Sequence, residues 1–143
     1  MMAGQRNSGT ARSGTNALAI LYYFYPEDTP LRRMLVRHCG QVREKALAIL
    51  ADSGVELDAR LAADGAMLHD IGIGCCDAPK ILCEGSEPYI AHGVIGARML
   101  REYGAANGLD LEAFARICER HTGSGITAAE VRAQALPIPV RDY

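Results

Sequence analysis

The sequence predicts an all-α fold, a compact bundle of about five to six helices. Apolar residues recur at spacings of three and four along several segments. Thr29-Pro30 and Thr127-Ala128-Ala129-Glu130 are helix-start signals, the second a capping box. No stretch shows the sustained apolar/polar alternation of a strand.

In chain order, residues 1–15 are rich in Gly, Ser, Thr and Arg with no apolar period, which predicts a disordered leader. An apolar helix follows over 16–25 and stops at Pro26. After Thr29-Pro30, a long helix carries Leu31, Leu35, His38, Val42, Ala46 and Ile49 at helical spacing until Gly54. Asp58 caps the next helix, with Leu61, Gly65, Leu68 and His69 on one face, ending at Gly72 and Gly74. Residues 72–88 read as a loop broken by Gly and Pro. A helix from about Pro88 to Tyr103 turns Ile90, Val94, Ala97 and Leu100 inward, and Gly93, Gly96 and Ala97 would let a neighbour approach closely. The next helix, 110–121, carries Phe114, Ile117, Cys118 and His121 on one face, and the capping box opens a short last one.

The chain has 143 residues, 49% hydrophobic and 22% charged. That suits one globular domain over 16–143 and excludes disordered or fibrous classes. A net charge of −2, no Trp and 6% aromatic residues leave neither a basic footprint nor stacking platforms for a nucleic-acid polymer. The apolar run 17–25 falls short of the roughly 20 residues that cross a bilayer. Arg6 and Arg12 precede it as in a signal peptide, but no small-x-small cleavage site follows. The five cysteines, Cys39, Cys75, Cys76, Cys83 and Cys118, are odd in number and irregularly spaced. They predict free thiols and a cytoplasmic location. Cys75, Cys76 and Cys83 also lack the paired CxxC spacing of a zinc cluster.

The chemistry lies in the histidines. There are four, His38, His69, His92 and His121, each on or beside the inward face of a different helix. A single histidine in such a place is ordinarily a core residue with satisfied nitrogens. Four from four helices satisfy one another only through something shared, and neutral imidazole is the commonest metal ligand. Asp70 follows His69 and adds an anionic oxygen. Neighbours on a helix point about 100° apart, so both reach one site only where the helix ends, as Ile71-Gly72 allows.

The string Met67-Leu68-His69-Asp70-Ile71-Gly72 resembles the signature of the HD superfamily in its HDIG form. Members are all-α metal-dependent proteins, mostly phosphohydrolases, with ligands in the order H…HD…D. His38 matches the first His. Pro88-Tyr89-Ile90-Ala91-His92-Gly93 and Cys118-Glu119-Arg120-His121-Thr122-Gly123-Ser124-Gly125-Ile126-Thr127 are similar to an uncharacterised HDIG family of predicted phosphohydrolases. The resemblance spans roughly residues 17–143 and implies a compact HD-domain bundle. His92 and His121 match the two extra histidines of dinuclear members, such as HD-GYP phosphodiesterases and HD-type di-iron oxygenases.

The resemblance thus implies His38, His69, Asp70, His92 and His121 as metal ligands, with Asp70 bridging two ions and orienting the attacking water. It implies one or two divalent transition metal ions, Fe or Mn favoured over Zn, because mixed imidazole and carboxylate ligation suits these metals. Many relatives follow HDIG with a phosphate-binding Lys. Here Ile73 and Gly74 follow, and Lys80 in the loop is the substitute candidate catalytic residue, against a plain reading as a solvated lysine. The family's last Asp lies beyond a Pro-rich link like 136–143. The sequence ends at Tyr143, and Asp142 comes too early in the pattern. The expectations are an open coordination position, an exposed apolar patch and a homodimer. Three functions fit: a phosphohydrolase of a small phosphate mono- or diester such as a nucleotide, a di-iron oxygenase, and a non-enzymatic metal- or ligand-binding module.

Overall fold

The computed structural model describes residues 16–122 and 127–139. The expected leader 1–15, the motif segment 123–126 and Asp142 lie outside the described residues. Among these there are six α-helices and a minimal hairpin, so the all-α expectation holds.

Local signals set the helix starts. α1 (Ala17–Phe24) begins at Asn16, whose Oδ1 accepts the Ala19 N–H at 3.0 Å. α2 (Pro30–Ser53) begins at Thr29, whose Oγ1 accepts from Arg32 N–H at 3.1 Å; Pro30 stands where a missing N–H costs nothing. It stops at Gly54, where φ of 73° favours a residue without Cβ. Asp58 caps α3 (Ala59–Leu68). α4 (His92–Asn107), α5 (Glu112–His121) and α6 (Ala128–Gln134) complete the set, the last opened by the capping box of Thr127 and Glu130.

α2 packs on α3 and α4 on α5, while α3 also touches α1 and α5. The main core joins Leu21, Leu35, Leu68, Ile71, Leu100 and Cys118 from these elements. α2 is about 36 Å long and α3 about 15 Å. Ile49, near the C-terminal end of α2, is 61% exposed, although its spacing continued that of Leu35 and His38.

Two boundaries differ from the sequence reading. Pro88 starts a 3₁₀ turn, Tyr89–Ala91, and α4 itself begins only at His92. At the other end α4 runs past Tyr103 to Asn107, because Gly104 is no breaker here. A Cβ at Gly104 would lie 2.6 Å from the Leu109 carbonyl oxygen, so the glycine serves the chain's close return after the helix. The segment read as loop contains β1 (Asp77–Ala78) and β2 (Cys83–Glu84), paired antiparallel. Two-residue strands are too short to leave an alternation in sequence.

Arg101 of α4 donates to both Glu112 and Glu119 of α5, with contacts of 2.8 to 3.3 Å. Arg101 and Glu112 are 41% and 51% exposed at their side chains, so screening keeps their pairing weak, while Glu119 at 18% is more sheltered. Arg101→Ala is expected to cost about 1 kcal/mol or less, and the difference should shrink further in high salt during thermal melts.

Candidate metal centre

The local fold delivers five ligand-type side chains to one point. α3 ends at Leu68, His69 is its capping residue, and Asp70 lies in the turn that follows. That exit from helical geometry lets adjacent residues face the same place. His38 comes from the middle of α2, His92 is the first residue of α4, and His121 is the last of α5.

Asp70 is the centre of the arrangement. Its Oδ2 lies 3.1 Å from His38 Nε2 and 3.2 Å from His69 Nε2. Its Oδ1 lies 3.2 Å from His92 Nε2 and 3.0 Å from His121 Nε2. One carboxylate thus divides the histidines into two triads, His38–His69–Asp70 and Asp70–His92–His121, each spaced to hold a cation.

The far nitrogens decide what these triads can hold. Nδ1 of His69 meets the Ala66 carbonyl at 2.6 Å, Nδ1 of His92 that of Tyr89 at 2.6 Å, and Nδ1 of His121 that of Cys118 at 2.7 Å. A carbonyl only accepts, so each Nδ1 carries the proton and donates. In the neutral rings Nε2 then presents a lone pair, and each such lone pair faces a carboxylate oxygen. His92 Nε2 and His121 Nε2 also face each other at 3.0 Å. Lone pairs so arranged require a positive charge among them, either protons or a metal ion. Backbone-anchored imidazoles around a carboxylate are a fitting donor set for Fe, Mn or Zn.

The electrostatics agree. Burial alone would disfavour the charged forms of Asp70 and His69. Hydrogen bonds from His121, His69 and His92 outweigh it and drive Asp70 far below the usual carboxylate range. At His69 the bonds to Asp70 and to the Cys39 thiol likewise win and push the ring up to about 10. A divalent ion held by these residues would replace those protons, since imidazole ligates as the neutral form.

An HD-domain family model matches residues 35–142. The chain belongs to the HD-domain family. An uncharacterized protein of Methanocaldococcus jannaschii is 38% identical over 112 residues, covering 76% of this chain and 56% of its own length. A tRNA (cytidine(56)-2'-O)-methyltransferase of Picrophilus torridus is 37% identical over 77% of this chain, and one of Thermoplasma volcanium 32% over 84%. The match spans only 26% and 29% of those two proteins. No solved structure matches the chain.

Within this HD domain, the structure brings all five proposed ligands together and leaves Lys80 apart. Lys80 stands exposed on the turn Pro79–Ile81 and makes no hydrogen bond or ion pair to the cluster. The thiols are free; Cys75 is exposed and the other four are buried. Cys118 donates to the Leu68 carbonyl at 3.1 Å, beside the turn that bears Asp70. No helix among the described residues is long and apolar enough to cross a membrane.

Sequence reading missed Tyr25. Its O–H donates to the Ile71 carbonyl at 2.6 Å, and its Oη accepts from Gly74 N–H at 2.9 Å. Burial pushes its ionisation well above the usual phenol range, so it remains a donor. A Cβ at Gly74 would lie 2.7 Å from the Tyr25 ring, which is why glycine stands there. Tyr25 therefore ties the end of α1 to the turn after Asp70. Its place after an apolar helix reads as simple packing, and no local signal pairs it with residues 46 and 49 positions away. Tyr25→Phe keeps the ring but orphans two backbone groups. The expected cost is about 1–3 kcal/mol in thermal melts, with weaker metal binding; an unchanged melt would refute the tie.

Proposed function

We propose that this HD domain is a metal-dependent phosphohydrolase acting on a small phosphate mono- or diester, a nucleotide among the candidates. One observation carries the reading: the Asp70 carboxylate is shared between two histidine triads whose lone pairs face inward. Divalent ions held there, Fe or Mn favoured over Zn, would bring the pKa of bound water to near 7 and stabilise charge on phosphoryl oxygens.

The remaining work falls to the chain itself. The carbonyls of Ala66, Tyr89 and Cys118 hold three imidazoles in one tautomer and one orientation. Asp70 accepts from what lies on either side and is placed to orient a water for in-line attack. His38 is 45% exposed at its side chain and His121 25%, against 4% for His92. Substrate therefore approaches from the His38 side, and His92 forms the closed wall. The proposal assigns Lys80 no part.

Two relatives are named for methyl transfer to tRNA, but they are proteins of which the match covers about a quarter. The cluster described here is a cation-ligand set, which suits hydrolysis rather than methyl transfer.

Elemental analysis after metal loading, followed by a panel of phosphomonoesters, phosphodiesters and nucleotides, tests the reading. Bound divalent metal and turnover of at least one ester are expected. Bound metal with no turnover across the panel would overturn hydrolysis and leave a metal-binding module. The same ligand types serve di-iron oxygenases, so oxygen uptake by anaerobically iron-loaded protein is followed in parallel. Substrate-dependent uptake without ester cleavage would replace the proposal with an oxygenase.

A further inference from the structure

We infer that the cavity between the start of α2 and the hairpin holds the leaving group of the ester, an apolar-bodied group of about nucleoside size whose N–H donates to the Glu84 carboxylate. The inference rests on the phosphohydrolase reading and deepens it by naming a substrate class. No bond to Glu84 forms or breaks; the residue selects and orients.

The cavity has a volume of about 700 Å³. Its walls include Thr29 and Leu31 at the start of α2, Gly74 in the turn after Asp70, and Pro79, Leu82 and Glu84 of the hairpin. Small-molecule pockets are of this size, mostly apolar, with a few polar groups that fix orientation. Two connections tie it to the metal centre. Ile73 N–H donates to the Asp70 carbonyl at 2.9 Å, and Gly74 N–H to Tyr25 Oη, which itself donates to the Ile71 carbonyl. One wall is thus the end of the turn that carries Asp70. Leu31 precedes His38 by seven residues, so the two share a face of α2, about 20° apart and about 10.5 Å along its axis. His38 is the open side of the cluster. An ester with its phosphate at the cluster reaches the cavity along that face.

The lining is apolar except at one point. Thr29 spends its hydroxyl on capping α2. Glu84 is the one charged residue among those described that line the cavity, and its side chain makes no hydrogen bond or ion pair to a described residue. Asp77 stands directly opposite it across the hairpin, and like charges so placed repel. Glu84 therefore brings repulsion to the hairpin and no bond. A ligand N–H or ammonium group supplies what is missing, and a hydrogen bond to a carboxylate is among the stronger kinds. The same charge rejects a leaving group that carries a second anionic group at this place.

Manganese-loaded full chain is titrated calorimetrically with adenosine and with purine riboside, which lacks the exocyclic amine. Neither carries a phosphate, so binding reads the cavity rather than the metals. Wild type is compared with Glu84→Ala, Glu84→Gln, Leu82→Ala and, as a remote control, Glu102→Ala. Hydrolysis of adenosine 5'-monophosphate and of p-nitrophenyl phosphate is followed in parallel. Wild type should bind adenosine about tenfold more tightly than purine riboside. Glu84→Ala should erase that preference, and Glu84→Gln, which keeps an accepting oxygen, should retain part of it. Leu82→Ala should weaken both ligands alike, and Glu102→Ala should match wild type. No adenosine binding by wild type would overturn the proposal, as would a preference in Glu84→Ala within about twofold of the wild-type one. Ester turnover without adenosine binding would overturn the role of the cavity and leave the hydrolase reading standing. The expected binding with no turnover of either ester would overturn the hydrolase reading and the leaving-group role with it.

Discussion

Replacing Asp70 with Ala is expected to strip the protein of most of its bound metal. Each carboxylate oxygen serves one triad, at 3.0 to 3.2 Å from two imidazole nitrogens. Without it, four neutral imidazoles remain and no anion offsets the ions' charge. Losing a mere supporting partner of a ligand costs 10–100-fold in affinity, and losing a shared ligand costs more. Asp70→Ala also removes the charge that four histidines surround, and unpairing a buried cluster can cost about 3–5 kcal/mol. Asp70→Asn separates the two effects, since the amide keeps the shape but cannot bridge cations. It should retain most of the wild-type melting temperature while elemental analysis finds metal near background. Full metal occupancy in Asp70→Asn would remove Asp70 from the centre.

Gly72→Ala should be strongly disruptive for a single added methyl. Its φ of −86° is open to any residue, so backbone strain is not the cause. A Cβ there would lie 2.5 Å from the Gly96 nitrogen and 2.5 Å from the His92 carbonyl oxygen. Both obstacles are backbone of α4 and cannot rotate away. α4 must move off the turn, and His92 moves with it, away from Asp70. Overpacking of this kind costs about 3 kcal/mol, lowering Tm by roughly 10 °C in a chain of this size. Metal affinity should fall in step, because the same contact sets the distance between the two halves of the cluster. A melting temperature within about 2 °C of wild type would show that the turn and α4 separate freely.

Gly72 also shows what a sequence conceals. Read along the chain, it is a helix breaker after His69-Asp70. In the fold its work is close approach, as with Gly96, where a Cβ would meet Ile71 at 3.0 Å, and Gly93, where it would meet the Cys118 carbonyl. The expectation that Gly93 and Gly96 admit a neighbour was legible, because small residues one turn apart on a helix mark a shallow face. Which neighbour enters was not. Tyr25 was hidden for the same reason: it acts on residues 46 and 49 positions away, which its own helix does not specify.

Sequence by itself determined the helices and the ligand types. Caps at Asn16, Thr29, Asp58 and Thr127 are local hydrogen bonds within two or three residues, so composition and spacing suffice to read them. Four histidines on four helix faces, and an Asp at a helix end, likewise declare a shared partner. Tertiary structure alone decided how they meet: that Asp70 parts them into two pairs, and that backbone carbonyls turn the Nε2 lone pairs of His69, His92 and His121 inward. Those relations join residues up to 51 positions apart. They depend on how closely whole helices pack, which is set by the summed fit of the core rather than by any local pattern.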